Sequence, residues 1–334
     1  MGFKGWVEKA HAYGTLVMFK HTIFSLSFGL VSLLLATKGQ LLLGKIFFIL
    51  LALLSARTGA NALNRVIDAK IDELNPRTAN RQLPSKKMSK KEALLFAAVC
   101  FAILFGSVYF INPLCFMLLP AAMFFLWFYS YTKRFTWACH LFLGFTCAMA
   151  PVGAWLAVTG SFGGLEPVFG QWGQGIGAFF RGQFVLGGHY AHLGMESFLQ
   201  ALRRQDPIFI PLFLGAANAF WVGGFDIIYG AQDVAFDQEH QIHSIPARFG
   251  IGRALSISSI LHVGALFFLF LTGWWSPSLG GVYFIGIILV GLLLLLEHLL
   301  VSPGHLEHVK LASYGLNEIV GVVFLMFSLI AVYV

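Results

Sequence analysis

Residues 41–72 read LLLGKIFFILLALLSARTGANALNRVIDAKID, and this stretch decides the fold. Its first part, from about Leu41 to Leu63, is apolar for long enough to cross roughly 30 Å of hydrocarbon. It nevertheless carries Arg57 and Asn61, and it runs directly into Asn64, Asp68 and Asp72, each four residues apart. That spacing predicts one helical face for all three, and Arg57 and Asn61 continue the same face. A second stretch repeats the pattern: Asp226, Asp233 and Asp237 are spaced seven and then four, again where a long apolar segment ends. The same reasoning predicts one helical face for these three as well. The chain has six aspartates, at 68, 72, 206, 226, 233 and 237, and five of them fall in these two stretches. Ionised side chains are expensive in a membrane and are usually functional there.

The remainder of the chain supports that reading. The 334 residues are 58% hydrophobic and 11% charged, with a mean hydropathy of +0.78, which excludes an ordinary soluble domain. Apolar runs predict nine transmembrane helices in a single polytopic domain, 1–334. They lie near 16–36, 41–63, 93–111, 113–131, 137–158, 208–231, 254–272, 279–300 and 311–334, with a turn at Asn112-Pro113. The N-terminus lacks a cleavable signal pattern, so Leu16 onward reads as a retained span.

The net charge of +7 is concentrated in a few loops, which fits orientation in a membrane better than binding to nucleic acid. Arg65, Lys70, Arg77, Arg81, Lys86, Lys87, Lys90 and Lys91 mark one loop as cytoplasmic, and Lys133 and Arg134 fall on that side too. Nine spans with a cytoplasmic N-terminus bring both acidic stretches there, with Lys38, Lys45, Arg181, Arg203 and Arg204 as outer exceptions. Cys100, Cys115, Cys139 and Cys147 all sit in apolar segments and read as packing residues.

The connection 159–207 is unusually long, and rich in Gly and aromatics. Within it, Met195–Gln205 reads as a short amphipathic helix and Gly175–Gly188 as interfacial or re-entrant, although a passive insertion explains both. His189 and His192 have the spacing of metal ligands but no evident third partner.

Magnesium prefers oxygen ligands, and is commonly held by one or two carboxylates together with substrate phosphate oxygens. Two facing carboxylate clusters therefore suit divalent metal with a diphosphate between them. Arg65, Arg77, Arg81, Lys133 and Arg134 lie on the same side, where they can take the remaining phosphate charge. Topology alone explains Lys86 to Lys91, which receive no site role. It does not explain the one-face pattern of Asn64, Asp68 and Asp72.

Asn64-Arg65-Val-Ile-Asp68-Ala-Lys-Ile-Asp72, followed by Arg77-Thr-Ala-Asn-Arg81-Gln-Leu-Pro84-Ser85, resembles the first signature of the UbiA superfamily of intramembrane prenyltransferases. Asp226-Ile-Ile-Tyr229-Gly-Ala-Gln-Asp233-Val-Ala-Phe-Asp237, with His243-Ser244-Ile-Pro246 after it, resembles the second. Tyr129, Lys133 and Arg134 are similar to the basic motif after the family's fourth helix, so the resemblance covers nearly the whole chain. It implies nine transmembrane helices around a central cavity with cytoplasmic caps. It also implies Mg²⁺-dependent ionisation of a polyprenyl diphosphate and alkylation of an aromatic acceptor.

Residue by residue, the resemblance implies catalytic roles for Asp68, Asp72, Asp226, Asp233 and Asp237. Asn64, Asp68 and Asp72 would serve one metal site, and Asp233 and Asp237 the other. Arg65, Arg77, Lys133 and Arg134 would bind diphosphate, and Asn64 and Tyr129 would also contact substrate. Arg57 matches a position near the acceptor, with Asp226 beside the same pocket, and apolar spans would form a wall open to lipid. Two departures stand out: position 65 is Arg where many members have Asp, and the outer connection is long.

The Phe19-Lys20-His21-Thr22 entrance and Ile242-His243-Ser244-Ile245-Pro246-Ala247-Arg248-Phe249-Gly250 resemble the 4-hydroxybenzoate polyprenyltransferase branch most. That branch implies respiratory quinone synthesis in a bacterial inner membrane. A carboxylated acceptor suits Arg57 and Lys20 as anion partners, while Lys20 and His21 serve equally as interfacial anchors. A naphthoate-type acceptor in menaquinone synthesis is the alternative. Haem farnesyltransferases and chlorophyll-type enzymes match the motif wording less well. An ion-coupled transporter, from a different class, would place its carboxylates near the midplane rather than at helix ends.

Overall fold

The computed structural model describes residues 12–17, 22–40, 43–165 and 198–334. Lys20, His21, Arg181, His189, His192 and Gly175–Gly188 lie outside the described residues, as does the start of the expected Met195–Gln205 helix. Residues 198–203 of that helix are helical.

The described residues are mostly helical, and contain no strand beyond an isolated bridge between Ser302 and His305. In chain order the helices are α1 (Thr22–Ala36), α2 (Leu43–Leu74), α3 (Lys90–Ile111), α4 (Pro113–Thr132), α5 (Cys139–Thr159) and α6 (Phe209–Gly230). There follow two short helices, α7 (Val234–Glu239) and α8 (Ile245–Phe249). Then come α9 (Ile251–Trp275), α10 (Gly281–Leu300) and α11 (Asn317–Tyr333), the last entered through a π-helical turn, Leu311–Leu316. Among the described residues eight helices are long and apolar enough to cross a bilayer, and α1, at 15 residues, is a shorter apolar helix. The chain is an all-α integral membrane protein.

Local chemistry sets the helix ends. Ser89 and Glu92 form a capping box that opens α3. Asn112 closes α3 and opens α4: its side-chain oxygen accepts from Cys115 N at 2.8 Å, while Pro113 occupies the first turn. The Asn112 amide also donates to Leu156 O at 2.9 Å, tying this turn to the far end of α5. Gly160, at φ +67°, stops α5.

Lipid supplies no hydrophobic drive between helices, so close packing and polar contacts hold them together. A Cβ on Gly144 would stand 2.3 Å from the carbonyl oxygen of Ala219, so α5 and α6 meet there almost backbone to backbone. Ser32 donates from α1 to Pro151 O at 2.6 Å, and Asn218 from α6 to Cys147 O at 2.8 Å. In the C-terminal half, His262 and His298 stand 2.9 Å apart, and Asn317 joins Trp221 to Glu297. Large apolar side chains such as Leu95, Met117, Ile260 and Leu299 point outward, as a lipid-facing surface requires.

One expected feature and one departure from the expected layout position the site. Helix α2 does not end with its apolar part but runs for 32 residues to Leu74, carrying the whole first acidic stretch as one rigid rod. The second stretch is not one helix: α6 ends at Gly230, a 3₁₀ turn covers Ala231–Asp233, and α7 starts at Val234. The single helical face expected for Asp226, Asp233 and Asp237 is therefore broken after Asp226. The reason is local, because the 3₁₀ turn tightens the winding and re-aims every residue after it.

Candidate active site

Both acidic stretches arrive at the same end of the bundle. On α2, Asp68 is buried at 3% exposure and takes three donors. Lys133 Nζ donates to it at 2.7 Å, Asn64 Nδ2 at 3.0 Å and Arg134 Nη2 at 3.1 Å. Arg134 is itself fixed by donating to Ser130 O at 2.8 Å and Ile67 O at 3.0 Å. One turn further, Asp72 accepts from Arg81 Nη1 at 2.7 Å, and Arg65 stands 3.9 Å from its other oxygen. That oxygen, Oδ2, is buried and accepts no hydrogen bond.

The second stretch meets the first through the loop after α2. Asn75 donates to Asp233 Oδ1 at 2.9 Å, and Arg77 Nε reaches the same oxygen at 2.8 Å. The other arm of Arg77 engages Asp233 Oδ2 and the Tyr229 hydroxyl, and its guanidinium lies 4.7 Å above the centre of the Tyr229 ring. Burial works against the Arg77 charge, but the hydrogen bond and charge of Asp233 outweigh it and raise its pKa. Asp237, 8% exposed, accepts from Ser244 Oγ at 2.8 Å, and Ser244 also caps α8. His243 N donates to Lys133 O at 2.8 Å, pinning the second stretch against the end of α4.

Beneath this charged layer lies a cavity of about 360 Å³ between α2, α3, α4, α5 and α6. Arg57, Asn61, Tyr129, Asp226 and Tyr314 line the end nearest the carboxylates, and its depth is walled by Leu, Ala, Ile and Val side chains. Asp226 faces this cavity and not the charged layer, with His140 Nδ1 at 2.7 Å.

Among the described residues no three His, Cys, Asp or Glu side chains form a ready metal cage. The donor set nevertheless fits magnesium. It offers oxygen ligands in separate pairs rather than a closed shell, as an ion that arrives with substrate phosphates and keeps its waters requires. Asp72 Oδ2, buried and accepting no hydrogen bond, is an oxygen of the kind such an ion takes.

Residues 25–327 match the UbiA prenyltransferase family. The chain belongs to that family. A UbiA homologue from Aeropyrum pernix K1, in its apo form, superposes with a TM-score of 0.70 at 28% identity, covering 91% of this chain and 95% of that one. A UbiA homologue from Archaeoglobus fulgidus bound to GPP and Mg²⁺ shares the fold at a TM-score of 0.58 and 17% identity, covering 97% and 100%. Among curated relatives, a 4-hydroxybenzoate octaprenyltransferase from Vibrio campbellii is 33% identical over 156 residues, 46% of this chain and 55% of that protein. A protoheme IX farnesyltransferase from Shewanella sp. (strain MR-4) is 41% identical over 108 residues, 31% of this chain and 36% of that protein. The chain thus spans between about a third and just over half the length of these two relatives.

Within this UbiA-family frame the structure gathers Asn64, Asp68, Asp72, Arg65, Lys133 and Arg134 into one cluster and Asp233 and Arg77 into its neighbour. It groups Arg57, Tyr129 and Asp226 at the cavity. Sequence reasoning missed Asn75, His140 and Tyr314. Asn75 had a signal, since it sits between Asp72 and Arg77 in the same basic loop. His140 and Tyr314 had none, because only folding brings them to residues far away in sequence. Arg81, read from the sequence as a cation able to take phosphate charge, is the closest partner of Asp72.

Proposed function

We propose that this chain transfers a prenyl group from an allylic polyprenyl diphosphate to an aromatic acid, most readily 4-hydroxybenzoate, in respiratory quinone synthesis. The observation that carries this reading is the junction of a charged layer with an apolar cavity. Carboxylates and five cations meet at one end of the bundle, directly above a chamber whose mouth holds Arg57, Tyr129 and Asp226. Such a junction suits a substrate with a diphosphate head and a hydrocarbon tail. The concentration of cations at this end supports a cytoplasmic site in a bacterial inner membrane, with nine spans.

Asn64, Asp68 and Asp72 on one side, and Asp233 and Asp237 on the other, would hold Mg²⁺. When bound, the metal supplies positive charge to the diphosphate oxygens as the leaving group departs. The chain's own residues do the rest. Lys133, Arg134, Arg77 and Arg81 exchange their carboxylate partners for diphosphate oxygens, so no cation is left unpaired during binding. As the allylic C–O bond breaks and its electron pair leaves on the diphosphate, these fixed cations stabilise the growing negative charge. The apolar walls exclude water that would otherwise capture the allylic cation, and the faces of Tyr129 and Tyr314 stabilise it. Arg57 offers the acceptor carboxylate a guanidinium at the mouth of the chamber.

The test is a transfer assay on membranes carrying the chain, with Mg²⁺, labelled allylic diphosphates of several lengths and 4-hydroxybenzoate. A naphthoate acceptor and protohaem run in parallel. Prenylated hydroxybenzoate is expected, reduced by at least about 100-fold in both Asp68→Asn and Asp233→Asn. Product with the naphthoate or haem alone would move the acceptor and keep the chemistry. Folded protein that transfers to none of the three would remove the reading.

A further inference from the structure

Asp226 stands apart from the other motif carboxylates. It lies two helical turns before Asp233, lines the cavity, and has an imidazole as partner where Asp68, Asp72 and Asp233 have arginine or lysine. That imidazole, His140 at the start of α5, is 6% exposed, and its Nε2 is buried without a hydrogen bond. The Asp226 carboxylate accepts through Oδ2, so Nδ1 carries the proton that makes the 2.7 Å bond. The surrounding backbone leaves this ring its place. A Cβ on Gly230 would come within 2.9 Å of His140 Cε1, and the close approach of Gly144 to Ala219 draws α5 and α6 together one turn along.

Resting on the prenyl-transfer reading above, the geometry points to His140 as a positioning residue. It holds the Asp226 carboxylate turned into the acceptor end of the cavity, where the carboxylate takes the proton that the aromatic ring gives up. In that step a π pair of the ring forms the new C–C bond to the allylic carbon, whose C–O pair has left on the diphosphate. The alkylated ring carbon then loses H⁺, the C–H pair restores aromaticity, and the Asp226 oxygen not bonded to His140 accepts the proton. A carboxylate free to rotate would swing toward the cations of the layer above. The bond from Nδ1 prevents that and partly offsets the negative charge of Asp226.

The experiment compares wild type with His140→Leu, which fills the space without a donor, and His140→Asn, which keeps an N–H where Nδ1 stands. His140→Leu is expected to lose about 30-fold in kcat, with the KM for the prenyl diphosphate within about twofold; His140→Asn should recover to within about threefold of wild type. Ring-deuterated acceptor gives the decisive readout, with a kinetic isotope effect on kcat that is small in wild type and rises to about 3 in His140→Leu, where proton loss limits the rate. Wild-type kcat in His140→Leu would overturn the assignment. So would equal losses in both variants without an isotope effect, since those belong to packing. If wild type transfers to no acceptor, the prenyl-transfer reading has failed, and the dyad is judged separately from ¹⁵N-histidine spectra of the intact protein. A strongly hydrogen-bonded Nδ1–H that disappears in Asp226→Leu supports the dyad, and an unchanged spectrum overturns it.

Discussion

The two acidic stretches look like copies in sequence and behave as opposites in the fold. The first rides on one uninterrupted helix, and its two carboxylates face four cations: Lys133 and Arg134 at Asp68, Arg81 and Arg65 at Asp72. The second is broken by a 3₁₀ turn: Asp233 and Asp237 stay in the charged layer with one arginine and Ser244 as partners, while Asp226 turns to the cavity and His140. The first cluster is therefore locally cationic and the second locally anionic. Part of the reason is Arg65, which puts a positive charge where many UbiA members carry a carboxylate. On the proposed function, the difference teaches a division of labour in which the second stretch would be the stronger attractor for metal and the first the stronger attractor for the diphosphate.

That division is most open to attack through the metal requirement. Asp233→Asn and Asp237→Asn are expected to raise the Mg²⁺ concentration for half-maximal transfer by roughly 10- to 100-fold. Asp72→Asn should raise it by less than about tenfold, since Arg81 and Arg65 already oppose a cation there. Titrating Mg²⁺ against initial rate after stripping with chelator checks this, and equal shifts at both stretches would erase the asymmetry.

A smaller effect is expected from the other side. Arg134 holds Asp68 from one face and is about 32% exposed, so it is placed to receive an incoming phosphate. Arg134→Gln removes one charge-assisted hydrogen bond, which corresponds to an increase of about tenfold in the KM for prenyl diphosphate. The Mg²⁺ requirement should stay put. A shift in the metal requirement instead would mean that Arg134 serves the carboxylate more than the substrate.

The sequence carried the first half of this comparison and not the second. Four-residue spacing on a continuous helix is a local property, so the face shared by Arg57, Asn61, Asn64, Asp68 and Asp72 was readable without any fold. The apolar runs were readable for the same reason, and Asn112-Pro113 marked its turn correctly because cap and proline act within one turn. The break at 231–233 was hidden. Ala231-Gln-Asp233 has no proline and the preceding Gly230 is common in membrane helices, so nothing local distinguished a 3₁₀ turn from continued α-helix. Pairings across the fold were hidden more deeply: Asp226 with His140, Arg77 with Asp233, and the Trp221–Asn317–Glu297 chain between the later helices. A histidine in an apolar segment reads as a core residue until the opposing carboxylate is seen.

The smallest effect reaches the site through the backbone alone. Gly144 lies one turn after His140 on α5, and Ala219 lies two turns before Asp226 on α6, so both pairs belong to one ladder of contacts between these helices. A methyl group on Gly144 meets the Ala219 carbonyl oxygen at 2.3 Å, and a backbone oxygen cannot swing aside as a side chain would. Gly144→Ala must therefore spread α5 from α6, costing about 1–3 kcal/mol of packing. The spread lengthens the His140–Asp226 bond before it disturbs Asp233, which is held from the α2 side by Asn75 and Arg77. The expected outcome is a melting temperature lowered by a few degrees, kcat reduced by about threefold, and an unchanged Mg²⁺ requirement. A metal requirement that moved with the melting temperature would show that the second stretch hangs on α6 rather than on the loop after α2, and the two stretches would then be mechanically one.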